Sequence, residues 1–250
     1  MAERTMMDKV KAAIFDLGST LYRTTRHLGD VHRDFLIKMG LEKYAELTDP
    51  QLEGAQSRGP DMWLDSRMLR NNVDIHWEPT REEWIEYDRR LLKEIGVEGS
   101  LDELVERYQQ EWDEYLSRSR YVLLDGCKET LETLLERGYR LGIASNRFGD
   151  PRPFLEEDSI LSLFDSIEYT NVPGYKKPSP FMLLKAADDL GVNPRRCVYV
   201  GNYVKYDLEA AIRAEMLPIL ITWCNPEERE NAPPDTVIID HIRELLGLLK

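Results

Sequence analysis

Four short stretches of the 250-residue chain each carry a polar side chain at the end of an apolar run. Asp16 follows "AAIF" in "AAIFDLGSTL", Ser145 and Asn146 end "LGIASN", Lys177 sits in "GYKKPSP", and Asp207 closes "GNYVKYD". A lone carboxylate at the end of a buried strand is costly unless something pairs with it, so Asp16 calls for a cation or a hydrogen-bonding partner. Taken together the stretches offer two carboxylates, a hydroxyl and an ammonium. That set suits phosphoryl transfer to Asp16 with Mg²⁺ held by one or two carboxylates. Singly, each has a plainer reading: Asp16 as a turn former, Ser145 and Asp207 as helix caps, Lys177 as a surface lysine. Their order and their shared place at strand ends favour one site.

The elements that must position these residues are legible as alternating strands and helices. Strand-like runs are "AAIF" (Ala12–Phe15), "RLGIAS" (Arg140–Ser145), "SIEYT" (Ser166–Thr170), "CVYVG" (Cys197–Gly201), "PILITW" (Pro218–Trp223) and "TVII" (Thr236–Ile239). Between them "CKETLETLLERG", "SPFMLLKAADDLG" and "YDLEAAIRAEM" carry apolar residues at helical spacing. Gly138 and Gly191 stand where helix C-termini favour a positive φ. This alternation predicts an α/β fold, a doubly wound and mainly parallel sheet with helices on both faces. In such a sheet ligands bind beyond the carboxyl ends of the strands, where all four stretches lie.

Residues 24–119 read differently, with almost no strand signal and four of the five tryptophans. "TREEWIEYDRRLLKEIG" opens on a capping box, Thr80 with Glu83, and aligns Trp84, Tyr87, Leu91 and Ile95. "SLDELVERYQQEWDEYL" repeats the device with Ser100 and Glu103, then Leu101, Leu104, Val105, Tyr108 and Trp112. The predicted division is an α/β domain over 1–23 and 120–250, with an inserted α-helical domain over 24–119. Trp63 and Trp77, in the loop-rich "RGPDMWLDSRMLRNNVDIHWEP", could face a substrate, but aromatics in such a block are more often core.

Charge and composition narrow the function classes. A net charge of −13 argues against nucleic acid and anionic membrane surfaces as partners. No apolar run approaches the ~20 residues of a membrane span, and "MAERTMMDKV" lacks the apolar core of a signal peptide. Cys127, Cys197 and Cys224 show no metal-ligand spacing and are read as reduced and buried in a cytoplasmic protein. His27, His32, His76 and His241 form no zinc-like pattern, and no Walker-type loop or Gly-x-Gly-x-x-Gly follows a strand. Arg23, Arg26 and Arg147 fall near the expected site mouth and are each read as surface residues. "HIRELLGLL" is read as a C-terminal docking helix.

In sequence the chain resembles the haloacid dehalogenase-like hydrolase superfamily, in the branch with a helical cap inserted after the first motif. "IFDLGSTLY" resembles motif one, "LGIASN" motif two, "GYKKPSP" motif three and "VGNYVKYDLEAA" motif four. The resemblance implies a Rossmann-like core, a phosphatase acting on a small phosphorylated metabolite, and Mg²⁺ as cofactor. It implies that Asp16 is the nucleophile and a Mg²⁺ ligand, and that the Gly18 position lends a backbone carbonyl to the metal. Ser145 with Asn146 would hold phosphoryl oxygens, Lys177 would neutralise charge beside the nucleophile, and Asn202 and Asp207 would complete the metal site. The cap would close over the site and choose the substrate.

Two departures from the family pattern stand out. Gly18 replaces the second Asp of motif one, the family's general acid and base, and Asn202 replaces the Asp of a Gly-Asp pair in motif four. The first removes a proton-transfer group whose contribution is typically about 10²–10⁴-fold. These losses leave two alternatives open: a catalytically silent metabolite-binding or regulatory protein, and a metal-free 2-haloacid dehalogenase. Against the dehalogenase, motif one lacks the aromatic residue usual at the Gly18 position, and Asn202 and Asp207 keep the wider phosphatase-like separation.

Overall fold

A computed structural model describes residues 7, 9–118 and 121–250. The chain divides into two compact units, Met1–Arg23 with Tyr121–Lys250, and Thr24–Arg120.

The first unit is an α/β sandwich. β1 (Ala12–Phe15), β4 (Arg140–Asn146), β5 (Ser166–Thr170), β6 (Cys197–Gly201), β7 (Leu217–Ile221) and β8 (Val237–Ile239) form one sheet in the order β5-β4-β1-β6-β7-β8. Every adjacent pair is parallel. Two short strands, β2 (Tyr22–Thr24) and β3 (Tyr121–Leu123), make a separate two-stranded ladder. All four residues of β1 are buried, which explains its unbroken apolar run: helices cover both faces of a parallel sheet. The strand period of two divides them. Ala13 and Phe15 pack with Ile143, Val198 and Val200 against Leu131 and Leu134 of the helix Cys127–Glu136. Ala12 and Ile14 pack with Tyr199 against Met182, Leu183 and Ala186 of the helix Phe181–Asp189. Burying each large side chain of this kind contributes about 1.5–3 kcal/mol. Gly138 and Gly191 adopt positive φ after their helices, at 85° and 63°.

The second unit is helical: Leu28–Lys38, Asp49–Gln56, Met62–Asn71, Arg81–Glu94 and Asp102–Arg118. Thr80 and Glu83 form the capping box, with Glu83 N donating to Thr80 Oγ1 at 3.3 Å and Thr80 N to Glu83 Oε2 at 2.8 Å. Val31, Phe35, Leu36, Leu92, Val105 and Tyr108 form its core, and Trp112 meets Phe35 edge-on at 5.1 Å. The stretch around Trp63 is not loop-rich. Leu64 and Met68, one helical turn apart, are buried and hold Met62–Asn71 as a helix, and Pro60 is accommodated in the wide turn Ser57–Asp61 before it. Trp63 itself lies beneath the Arg90 guanidinium, 4.9 Å from its ring centre. The C-terminal segment is a short turn, Ile242–Glu244, followed by a single helical turn, Leu245–Leu248, and it buries Ile242, Leu245 and Leu249. Among the described residues no helix is long and apolar enough to cross a membrane.

His32 is buried in the helical unit between the Tyr108 hydroxyl and the Gln56 amide, against the edge of Trp112. Burial, with the Arg33 charge beside it, lowers its pKa from 6.5 to about 4. The unfolded chain therefore takes up a proton near pH 6.5 that the folded chain refuses until about pH 4. Stability is complete above the upper value and drains away as pH falls through this window, by about 3 kcal/mol at most. Urea unfolding at pH 7.5 and 4.5 should show this loss, and His32→Gln should flatten the dependence. An equally steep pH dependence in the variant would assign the acid sensitivity elsewhere.

Candidate active site

The sheet brings the site residues together at the carboxyl edge of its three central strands. Phe15 lies level with Ile143 of β4 and Val200 of β6, so Asp16, Ser145–Asn146 and Gly201–Asn202 emerge side by side. Asp16 N donates to Val200 O at 2.9 Å, fixing the nucleophile candidate to its neighbouring strand. The chain runs from β1 outward through β4 to β5 and then crosses back to β6 on the other side of β1, a topological switch of the kind that opens a crevice.

Three charged side chains meet there out of solvent: Asp16 is 6% exposed, Lys177 2% and Asp207 2%. The Lys177 ammonium donates to Asp16 Oδ1 at 2.7 Å, to Asp207 Oδ1 at 2.6 Å and to the Tyr199 hydroxyl at 2.7 Å. All three of its protons are thereby directed. Burial alone would lower the Lys177 pKa, but the Asp16 and Asp207 carboxylates outweigh it and hold the ammonium above its ordinary value. Asp16 moves upward as well: burial dominates, the Lys177 charge pulls it down and Asp207 pushes it up, while the nearby Ser145 hydroxyl lowers it slightly. One ammonium between two carboxylates leaves this centre one negative charge in excess.

Asp207 is shaped by its local chain. It sits in the wide turn Val204–Leu208 that leads into the helix Glu209–Arg213. Its Oδ2 accepts the backbone N–H groups of Asn202 at 3.0 Å and Tyr203 at 2.9 Å. Gly201 permits this, because a Cβ there would fall 2.4 Å from the Asp207 side chain. Asp207 was expected as a metal ligand, yet Oδ1 is held by Lys177 and Oδ2 by two backbone donors. In this geometry its contacts are with the lysine and the β6 loop. Asn146 has a second task. Its Nδ2 donates to Lys177 O at 2.9 Å and its Oδ1 accepts Lys177 N at 2.7 Å, a two-point clamp on the lysine's backbone that leaves one Nδ2 proton uncommitted.

Tyr199 is the residue that sequence reasoning missed. "CVYVG" reads as an apolar strand, and the Tyr199 ring is indeed buried on the helix-covered face. Its hydroxyl, however, accepts from Lys177 and donates to Ala144 O at 2.8 Å. The usable signal was chemical: a tyrosine inside a parallel strand needs a partner for its hydroxyl.

The turn after β1 holds the other expected residues. Tyr22 N donates to Leu17 O at 2.9 Å and Ser19 N to Tyr22 O at 2.7 Å, with Ser19 itself at φ 57°. Thr20 Oγ1 donates to Asn202 Oδ1 at 3.3 Å, and the buried Asn202 Nδ2 has no partner among the described residues. The amide can be turned end for end, because the Thr20 hydroxyl serves equally as donor or acceptor, and an oxygen then becomes the free end. The side-chain donors for a metal here are thus hard oxygens, those of Asp16 and the turned Asn202 amide. Among the described residues no group of three His, Cys, Asp or Glu suits a metal. One carboxylate with neutral oxygens fits Mg²⁺, which keeps several waters and takes further oxygens from a phosphorylated substrate.

Arg147 is not a free surface residue. Its guanidinium lies 4.7 Å from the Phe154 ring centre and donates to Phe148 O and Gly149 O. Arg23 is exposed, and Arg26, also exposed, pairs with Asp34 at 2.6 Å. Cys127 and Cys197 are buried free thiols, whereas Cys224 is exposed, contrary to the reading of all three as buried.

Comparison with known proteins places these features in a family context. A family model for haloacid dehalogenase-like hydrolases matches residues 10–215. A phosphoglycolate phosphatase from Nitrosococcus oceani is 27% identical over 76% of this chain and 89% of its own length. A glyceraldehyde 3-phosphate phosphatase from Methanopyrus kandleri is 26% identical over 96% of this chain and 97% of its own. Among solved structures, a 2-haloacid dehalogenase from Pseudomonas syringae superposes with a TM-score of 0.59 at 20% identity, covering 96% of this chain and 98% of that one. The likeness in fold therefore embraces both chemistries, and the choice between them falls to the residues at the sheet edge.

Proposed function

The chain belongs to the haloacid dehalogenase-like hydrolase family, and on that premise we propose that it is a Mg²⁺-dependent phosphatase that passes the phosphoryl group of a small phosphorylated metabolite through Asp16. The observation that carries this reading is the Lys177 ammonium seated between Asp16 and Asp207 at the switch point of the sheet. A dianionic phosphoryl group approaching Asp16 meets a carboxylate whose charge repels it, and Lys177 offsets that repulsion at contact range. Asp16, the Gly18 carbonyl and the Asn202 amide would hold Mg²⁺, which when bound supplies a Lewis-acid charge to the phosphoryl oxygens.

The remaining work is done by the chain's own groups. The oxygen of Asp16 that Lys177 does not hold is the nucleophile, and Ser145 offers a hydroxyl to a phosphoryl oxygen. Asn146, Tyr199 and Asp207 keep the lysine aimed, so its charge needs no reorganisation as the bond forms. The relatives named for phosphoglycolate and glyceraldehyde 3-phosphate support a small phosphorylated substrate. Three free thiols support a reducing, cytoplasmic setting.

Removing the metal tests the reading. Phosphate release from p-nitrophenyl phosphate should be present with millimolar Mg²⁺ and fall to background in excess EDTA, returning when Mg²⁺ is restored. EDTA-insensitive halide release from 2-haloacids would replace the phosphatase by the dehalogenase. Tight metabolite binding with no turnover of any phosphate would make the chain a binding protein.

A further inference from the structure

Gly18 poses a question that its backbone does not answer. Glycine is demanded where φ is positive or where another chain segment crowds the Cβ. Gly18 has neither constraint: its φ is ordinary, and a Cβ built on it meets nothing within 4 Å among the described residues. The contrast with Gly201, whose Cβ would collide with Asp207, is plain. The chain therefore leaves open a space, two residues after the nucleophile, that a Cβ would enter without collision.

The strongest proton-bearing groups around that space are already engaged. Lys177 directs its three protons to Asp16, Asp207 and Tyr199. The Tyr199 hydroxyl donates to Ala144 O, and the Thr20 hydroxyl and the Asn202 amide hold each other whichever end of the amide faces inward. The N–H groups of Asn202 and Tyr203 go to Asp207, whose oxygens act only as acceptors. In the reading above the Ser145 hydroxyl is given to a phosphoryl oxygen. What remains there, a hydroxyl and an amide N–H, is too weakly acidic to hand a proton to a departing alkoxide. A leaving group that departs as an alkoxide needs such a proton, whereas one that departs as a carboxylate does not.

We propose that the site is built for acyl phosphates, mixed anhydrides of phosphoric and carboxylic acids, and that the space at Gly18 receives the acyl side of the substrate. The inference rests on the phosphatase reading above. As the Asp16 oxygen forms its bond to phosphorus, the bond from phosphorus to the acyl oxygen breaks. The electron pair stays on the released carboxylate, which takes no proton. Water then attacks the phosphorus of phospho-Asp16, its proton passes to solvent, and inorganic phosphate leaves as the Asp16 carboxylate is restored.

The test compares acetyl phosphate with glycerol 1-phosphate, and with a series of aryl phosphates of graded phenol acidity, all in Mg²⁺. The rate should fall steeply as the leaving group becomes more basic, with acetyl phosphate turned over at least about a thousandfold faster than glycerol 1-phosphate. Gly18→Asp, which the open space admits, should unfold at the wild-type temperature. It should also raise glycerol 1-phosphate turnover about a hundredfold and flatten the aryl series. Metal-dependent hydrolysis of glycerol 1-phosphate at a rate near that of acetyl phosphate would overturn the inference while leaving the phosphatase intact. No gain from a folded Gly18→Asp would also overturn it. No phosphate release from any of these compounds would remove both readings together.

Discussion

Asp16→Asn should abolish phosphate release from every substrate the wild-type chain hydrolyses, a loss of about four orders of magnitude or more. The amide has the shape of the carboxylate but no anionic oxygen to attack phosphorus, and it is a poorer metal ligand. The fold should not suffer with the activity. Asp16 is a buried carboxylate raised above its ordinary pKa chiefly by burial, so its charge is a cost to the folded chain. In the variant Lys177 keeps Asp207 and Tyr199, and the charges of the remaining pair balance. Thermal unfolding of Asp16→Asn should therefore match or exceed that of the wild type, as befits a group placed for chemistry rather than stability. Residual metal-dependent turnover in a folded Asp16→Asn protein would assign the nucleophile elsewhere.

Lys177→Met should fail on both counts. It removes the counter-charge that lets a phosphorylated substrate approach Asp16, and it leaves two buried carboxylates facing each other. Breaking a buried ion pair by deleting one partner costs about 3–5 kcal/mol. That cost should appear in the urea midpoint, while hydrolysis falls to background even where the variant is folded. Adding Asp16→Asn to Lys177→Met should recover part of the lost stability, because one of the stranded charges is gone. Non-additivity in this double-mutant cycle measures the Asp16–Lys177 coupling, and strict additivity would mean the 2.7 Å contact carries no energy.

The strands were legible because a parallel sheet covered on both faces writes itself as continuous apolar runs, as in "AAIF" and "CVYVG". The Thr80–Glu83 box was legible for a similar reason, since two residue types at a fixed spacing satisfy two backbone donors. What stayed hidden depends on three-dimensional neighbours. Nothing in "LGIASN" says that the Asn146 side chain would grip the Lys177 backbone, some thirty positions later, instead of facing solvent. Nothing in "GNYVKYD" says that Asp207 would turn back onto the N–H groups of its own loop. Tyr199 was hidden by its ring, whose apolar face satisfied the strand pattern and masked the one polar atom that reaches the site. The helix Met62–Asn71 was masked by Gly59 and Pro60, which read as breakers but sit in the wide turn before it.

The direct measurement of the central proposal is the covalent state of Asp16. The protein, mixed with acetyl phosphate and Mg²⁺ and quenched in acid within the first turnover, should gain the mass of one phosphoryl group. Borohydride reduction, which cleaves an acyl phosphate to an alcohol, should convert Asp16 alone to homoserine in the peptide containing "AAIFDLGSTL". Phosphate release without any phosphoryl adduct under quench conditions that preserve an acyl phosphate, or an adduct on another residue, would contradict the assignment of Asp16 as the nucleophile.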